Sequence, residues 1–157
     1  MAAETTLPAL DCACASLRRA ARAVTQLYEA ALKPTGLRVT QFTLLQALEG
    51  TGTSPQSVLG ELLALDPATL SRTLRPLAHA GWIRAGDGPD RREVRWTLTA
   101  AGRQRLARAR PAWRQAQARL RARISPEHWT LLVRDLAVVA TAARRKAASP
   151  GPHLGNV

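Results

Sequence analysis

Between Ser54 and Leu98 the chain carries two helix-start signals in close succession and then a hairpin signal, an order that few folds accept. Ser54-Pro55 sets a hydroxyl cap before a proline at the first helical position, where a missing N–H costs nothing. Val58, Leu59, Leu62 and Leu63 give that first helix an apolar face. The pattern breaks near Leu65, and Asp66-Pro67 repeats the start signal. Leu70, Leu74 and Leu77 then fall at i, i+4, i+7 and must face a core. The opposite side carries Ala68, Arg72, Arg75, Pro76 and His79, flanked by Thr69 and Ser71, and Gly81 reads as the left-handed residue that ends the helix. Pro76 removes one hydrogen bond and is expected to kink or end the regular ladder, which bears on Arg75 and His79. Two helices joined by a tight turn, the second with small and arginine side chains outward, have the layout of a DNA-reading helix-turn-helix.

Two strands are expected next, Trp82–Ala85 and Val94–Leu98, joined by the turn-forming run Gly86-Asp87-Gly88-Pro89-Asp90 and the pair Arg91-Arg92. A basic hairpin beside a recognition helix is a wing, whose arginines could enter a narrow minor groove. Taken alone, it could equally be a solvated surface hairpin.

The flanking sequence is helical. Leu10, Cys14, Leu17, Ala21, Val24, Tyr28 and Ala31 step strictly by fours and threes, an amphipathic seam that wants a partner helix. Lys33-Pro34-Thr35-Gly36 ends it, and a helix from about Val39 to Leu48 follows with Phe42, Leu45 and Leu48 inward. Beyond Thr99, Gly102, Leu106, Ala109, Trp113, Ala116, Leu120 and Ile124 repeat the spacing, with Pro111 expected to bend the helix. Ser125-Pro126-Glu127 opens the last helix, whose expected buried face is Trp129, Leu132, Val133, Leu136, Val139, Ala140 and Ala143. The fold class is therefore mainly α with a small β-hairpin wing: a winged helix-turn-helix lobe over residues 39–99 plus a helical dimerisation layer, 10–32 and 103–146. Residues 1–157 read as a single domain, with 147–157 a flexible tail rich in breakers.

Charge supports a polyanionic partner. The net charge is +12, carried by 21 arginines and two lysines. Genomic codon bias explains the choice of arginine but not the excess over acids. Eight arginines from Arg103 to Arg123 crowd the fifth helix with no acid between them, and read either as a DNA-facing surface or as a solvated outer face; Arg103 and Arg105, nearest the wing, are the two expected to reach phosphates. No run is long enough to span a membrane and no signal peptide is expected. Two cysteines do not make a disulfide framework and suit a reducing cytosol. His79, His128 and His153 lie far apart, so no metal site and no cofactor are expected, and no nucleophile–base pair or paired carboxylates point to an enzyme. A winged helix used as an architectural or protein-interaction module, without operator specificity, remains as the alternative class.

Asp66-Pro67-Ala68-Thr69-Leu70-Ser71-Arg72, Leu77-Ala78-His79-Ala80-Gly81-Trp82, Asp90-Arg91-Arg92 and Leu98-Thr99-Ala100-Ala101-Gly102 together resemble the MarR family of winged-helix transcription regulators. The resemblance extends over about residues 10–146. It implies a homodimer on a pseudo-palindromic double-stranded DNA operator in the bacterial cytoplasm, associated with the nucleoid, repressing nearby genes and released by a small-molecule inducer or by oxidation. It implies DNA contacts from Ala68, Thr69, Ser71, Arg72, Arg75, Asp90, Arg91 and Arg92, with Arg92 in the minor groove and Asp90 orienting it. An inducer would lie between the dimer layer and the winged lobe, lined here by Leu17, Tyr28, Phe42 and Trp113, unless those are simply core residues.

The first helix also resembles that of OhrR-type peroxide sensors, a MarR subgroup with a reactive cysteine early in that helix. Cys14 and Tyr28 match the spacing of that cysteine and one tyrosine partner, while the second tyrosine position is Arg18. Read as two helical residues, Cys12 and Cys14 diverge by about 160° and should not bond to each other without unwinding. Cys14 is then either a small buried hydrophobe or a thiol whose oxidation releases DNA.

Overall fold

The computed structural model describes residues 7–8, 10–88 and 93–144. In chain order they form α1 (Ala13–Leu32), a 3-10 turn (Lys33–Thr35), α2 (Val39–Thr51), β1 (Ser54–Pro55), α3 (Gln56–Leu63), α4 (Pro67–His79), β2 (Ile83–Asp87), β3 (Val94–Leu98), α5 (Ala100–Arg121) and α6 (Pro126–Arg144). The chain divides into two compact units, Met1–Arg119 and Leu120–Val157. The mainly helical fold with a small antiparallel sheet is the one expected; the tail at 147–157 lies outside the described residues.

The core of the first unit is aliphatic. Leu44, Leu45, Leu48, Leu59, Leu70, Leu74, Leu77 and Leu106 are essentially inaccessible and close around Phe42, Ile83 and Leu98. Trp113 of α5 stacks on Phe42, with ring centroids 5.7 Å apart and planes 20° from parallel. The Tyr28 hydroxyl donates to Gln117 Oε1, and burial pushes the phenol pKa up. Of the four residues expected to line an inducer cleft, Tyr28 and Phe42 are buried, Trp113 packs partly buried against the core, and Leu17 is exposed. Glu29 in α1 accepts the Val39 N–H at 3.0 Å, placing a carboxylate at the N-terminus of α2, where the helix dipole favours it.

Three expectations are corrected around the turn of helices. Ser54-Pro55 does not begin a helix as cap and first residue. It forms a strand that pairs Ser54 with Trp96 and Pro55 with Arg95, giving the sheet order β1-β3-β2. The local cap signal loses because β3 offers an open ladder edge forty residues away, and Ser54 is small enough to be buried there. In α3, Leu59 is buried and Leu63 partly so, while Val58 and Leu62 are 43% and 57% exposed, since one short helix presents one narrow stripe. Pro76 does not end α4, which runs on to His79, because the lost bond falls in its last turns; the Ala80 N–H still reaches the Pro76 carbonyl at 3.0 Å.

Elsewhere the expected signals operate. Asp66 caps α4, its Oδ1 accepting the Thr69 N–H at 2.9 Å and its Oδ2 the Thr69 hydroxyl at 2.6 Å. These bonds to Thr69 hold the Asp66 carboxyl below its ordinary pKa. Gly81 takes φ +71° just after the helix. β2 pairs antiparallel with β3 from Ile83↔Leu98 to Asp87↔Val94. At the start of α5, the Thr99 hydroxyl donates to the Gly81 carbonyl at 2.7 Å and accepts the Gly102 N–H at 3.0 Å. A Cβ at Gly102 would run into the Trp82 carbonyl and lie 2.7 Å from Leu98 Cδ1, so the helix can begin there only on a glycine. α5 passes unbroken through Pro111.

In the second unit, the expected buried face of α6 is not buried within the chain. Trp129 is half-covered, with the Arg121 guanidinium 5.4 Å over its ring, while Leu131, Leu132, Val133, Leu136, Val138 and Val139 are all exposed. Leu10, expected to begin the seam of the first helix, precedes α1 and is exposed; in α1, Cys14, Leu17, Ala21 and Val24 are likewise exposed, and only the C-terminal end of the expected seam is covered. The periodicity identifies stripes that need covering but not what covers them. No described helix is long and apolar enough to cross a membrane.

Two outcomes test this packing. Gly102→Ala should destabilise the fold at or above the upper end of the roughly 1–3 kcal/mol typical of overpacking, read by denaturant melts; an unchanged midpoint would refute the close contact. For Asp66, the depressed carboxyl contributes stability that is present above the unfolded value of about 3.9 and lost as pH falls through the folded value. Asp66→Ala should therefore melt lower than wild type at neutral pH, and the two melting curves should converge towards pH 2. A gap independent of pH would mean the cap is not ionic.

Candidate nucleic-acid interface

The turn between α3 and α4 is unusually tight for a chain with no glycine at its bend. Ala64 takes the left-handed conformation, φ +52°, and the Leu65 N–H returns to the Gly60 carbonyl at 2.9 Å. Gly60 makes room for this return, since a Cβ there would lie 3.2 Å from the Leu65 carbonyl oxygen. Asp66 then opens α4 with Pro67 at its first position. Burial of Leu70, Leu74 and Leu77 turns the opposite face outward, and Ala68, Arg72, Arg75 and His79 are all exposed on it.

Thr69 and Ser71, expected to flank the outward face, are each met by a side chain of the same lobe. Both are half-buried. Thr69 gives its proton to Asp66 and accepts from Arg72 Nη2 at 3.2 Å, so it serves as a bracket between the cap and the guanidinium. Ser71 accepts a hydrogen bond from Gln56 Nε2 at 3.1 Å, and Gln56 Oε1 accepts the Trp96 indole N–H at 3.1 Å. Gln56 was not marked by any sequence signal. Its two partners lie 15 and 40 residues away, beyond the reach of local patterning.

The strands of the wing run to Gly88, whose N–H meets the Glu93 carbonyl at 2.9 Å. Arg95 pairs with Glu93. Asp90, Arg91 and Arg92 lie outside the described residues. Arg103 and Arg105, expected to reach phosphates, are engaged within the lobe. Arg103 Nη1 donates to the Leu98 carbonyl at 2.9 Å, and the half-buried Arg105 guanidinium lies 5.0 Å over the Trp82 ring. Placing a cation on an indole face at the root of the wing supports the hairpin. Further along α5, Arg110 pairs with Glu49, and Arg108, Arg114 and Arg119 are exposed.

Cys12 and Cys14 are both exposed and free. Cys12 precedes α1 in an extended conformation, φ −93° and ψ 115°, so the divergence of two helical residues does not describe this pair. Within the single chain neither thiol is covered. With Leu10, Arg18, Arg19 and Arg22 they border an open surface cavity of about 340 Å³. Tyr28 is fourteen residues further along the same helix, about 21 Å at the usual rise, so the cysteine and tyrosine do not meet within one chain. Among the described residues no three His, Cys, Asp or Glu side chains cluster as metal ligands.

This arrangement of a capped helix, a tight turn and a two-stranded wing has clear relatives. Residues 37–94 match the family model of the MarR family. The chain is 39% identical to the Mycobacterium tuberculosis transcriptional regulator MosR, solved in complex with DNA; the match covers 85% of this chain and 96% of that one, with a TM-score of 0.76. It is similar to a probable transcriptional regulator from Pseudomonas aeruginosa at 31% identity, covering 82% and 97% of the two chains with a TM-score of 0.74. An uncharacterised HTH-type transcriptional regulator of Bacillus subtilis, YwoH, is 29% identical over 83 residues, which span 53% of this chain and 61% of that protein. These are regulators rather than enzymes, and the chain belongs to the MarR family of winged helix-turn-helix transcriptional regulators.

Proposed function

We propose that this regulator is a repressor that binds a pseudo-palindromic operator as a homodimer and is released by a chemical signal. The observation that carries the reading is the free face of α4. Ala68, Arg72 and Arg75 are exposed along a helix whose rotation is locked by three buried leucines, and Arg72 is held in place by Thr69. A guanidinium so placed can read a guanine edge in the major groove. The net charge of +12 supplies a general attraction to the duplex, and the 39% identical regulator bound to DNA supports the same use of the fold. Asp90, Arg91 and Arg92 complete the interface in this reading, Arg92 in the minor groove and Asp90 orienting it. Its place is the bacterial cytoplasm, with the DNA it reads.

Dimerisation is supported by what one chain leaves in water. α6 exposes six large aliphatic residues, and α1 exposes Leu17 and Val24, with Leu10 exposed just before it. A second copy of the chain is the occupant that a palindromic site calls for. Release by thiol oxidation is favoured by the exposure of Cys12 and Cys14 beside Arg18, Arg19 and Arg22. The Cys14 thiolate attacks an organic hydroperoxide, the O–O bond breaks, and sulfenic acid and an alcohol result; a second thiol, from the partner subunit or a small thiol, then condenses with loss of water. A small-molecule inducer is the other route.

Binding to operator and scrambled duplexes at physiological salt separates a specific regulator from an architectural module. Arg72→Ala should cost about 1–3 kcal/mol and relax specificity at one operator position, whereas Arg92→Ala should weaken binding with little change in base preference. Operator binding by both variants like wild type would refute the assignment. Leu17→Glu or Leu136→Glu should abolish dimer and operator binding together; a sedimenting monomer that still binds the full palindrome tightly would sink the dimer. Stoichiometric organic hydroperoxide should release wild type but not Cys14→Ser. Unchanged binding of treated wild type would leave a small-molecule inducer as the trigger.

A further inference from the structure

Side chains from three separate elements form a relay beside α4. Trp96 on β3 donates its indole N–H to Gln56 at the start of α3, and Gln56 donates its amide N–H to Ser71 on α4, each at 3.1 Å. The three border an open groove of about 430 Å³ that also takes in Arg75 and His79.

The direction of this relay is fixed by chemistry. An indole nitrogen only donates, so the Gln56 atom facing it is the carbonyl oxygen, which settles an amide orientation that heavy atoms alone leave ambiguous. The amide nitrogen therefore faces Ser71 and can only donate, which makes Ser71 Oγ the acceptor. A serine hydroxyl carries one proton, and here that proton has no bonded acceptor among the described residues. Thr73, two residues on, shows the contrast, returning its hydroxyl proton to the Thr69 carbonyl at 3.0 Å.

We propose that Gln56 and Trp96 are positioning residues that hold Ser71 as a hydrogen-bond donor towards the major groove, where it selects a base edge offering an acceptor and rejects cytosine. Guanine O6 and N7, adenine N7 and thymine O4 accept in that groove, while cytosine presents only its amino donor. The inference rests on the operator-binding reading above and adds the sign of one contact. Gln56→Glu reverses that sign. A carboxylate can accept from Trp96 and from the Ser71 hydroxyl at once, so the serine proton turns inward and a lone pair faces the base.

The test selects bound duplexes from a randomised pool with the full-length chain, followed by affinities for single-base variants of the selected site, with melting temperatures as a control for folding. Wild type should disfavour cytosine at one position by roughly five- to hundredfold. Ser71→Ala should flatten that position alone, and Ser71→Thr, which keeps the hydroxyl, should preserve it. Gln56→Glu should move the preference there to cytosine or adenine, whose amino groups donate, and leave the position read by Arg72 unchanged. Trp96→Phe, which frees the amide to turn either way, should weaken the preference without inverting it. A selective wild type whose profile is unmoved by Gln56→Glu, or a Ser71→Ala that weakens all sequences equally, overturns this inference alone. A wild type that selects no sequence over scrambled DNA overturns the operator reading and this inference together.

Discussion

The rotation of α4 about its own axis decides which side chains a duplex can meet, and Leu70, Leu74 and Leu77 set that rotation. All three are essentially inaccessible in the core. Sliding the pattern by one residue would turn the helix by about 100° and trade a buried leucine for Ser71 or Thr69, at a cost of several kcal/mol in lost apolar burial. That cost is large beside the worth of any one contact to DNA. The core therefore aims the interface, and polar bonds only refine it. Asp66, Thr69 and Arg72 refine it at the N-terminal end, while Gln56 and Trp96 refine it along the flank.

What the sequence made legible and what it hid divide along the range of the interaction. The Asp66 cap, the Pro67 start, the Gly81 stop and the pairing of Val94–Leu98 with the preceding strand depend on residues close in the chain or on a simple period, and the structure has them. The local signal at Ser54 points to a helix cap, whereas its strand partner, Trp96, lies forty-two residues on. Period places Thr69 and Ser71 on the flanks of α4, but it does not tell that Asp66 and Arg72 meet the first and Gln56 the second. The same limit applies to Arg105, whose guanidinium lies over the Trp82 ring, a contact that no local pattern signals.

The first α5 turn shows how one motif can join these levels. Leu98 to Gly102 looks in sequence like a strand end followed by a helix cap. In space, Thr99 ties that junction to the carbonyls at the end of α4, and Gly102 lets the α5 backbone touch the residue that starts the wing. Helix, hairpin and the long α5 helix are thus registered through a single threonine and a single glycine. The start of α5 is thus held against Gly81 and Trp82, the two residues that lead from α4 into the hairpin.

The two-residue strand β1 has a bearing on solubility. It covers part of β3, and the edge it presents in turn is only Ser54 and Pro55. Proline has no N–H to offer, so this side of the sheet cannot act as a template for another strand. With apolar side chains exposed on α1 and α6, the chain gains from having this short border blunted. A neighbouring molecule is left to meet helices, where side-chain shape decides the match, and not this edge of the sheet, where any extended chain would do.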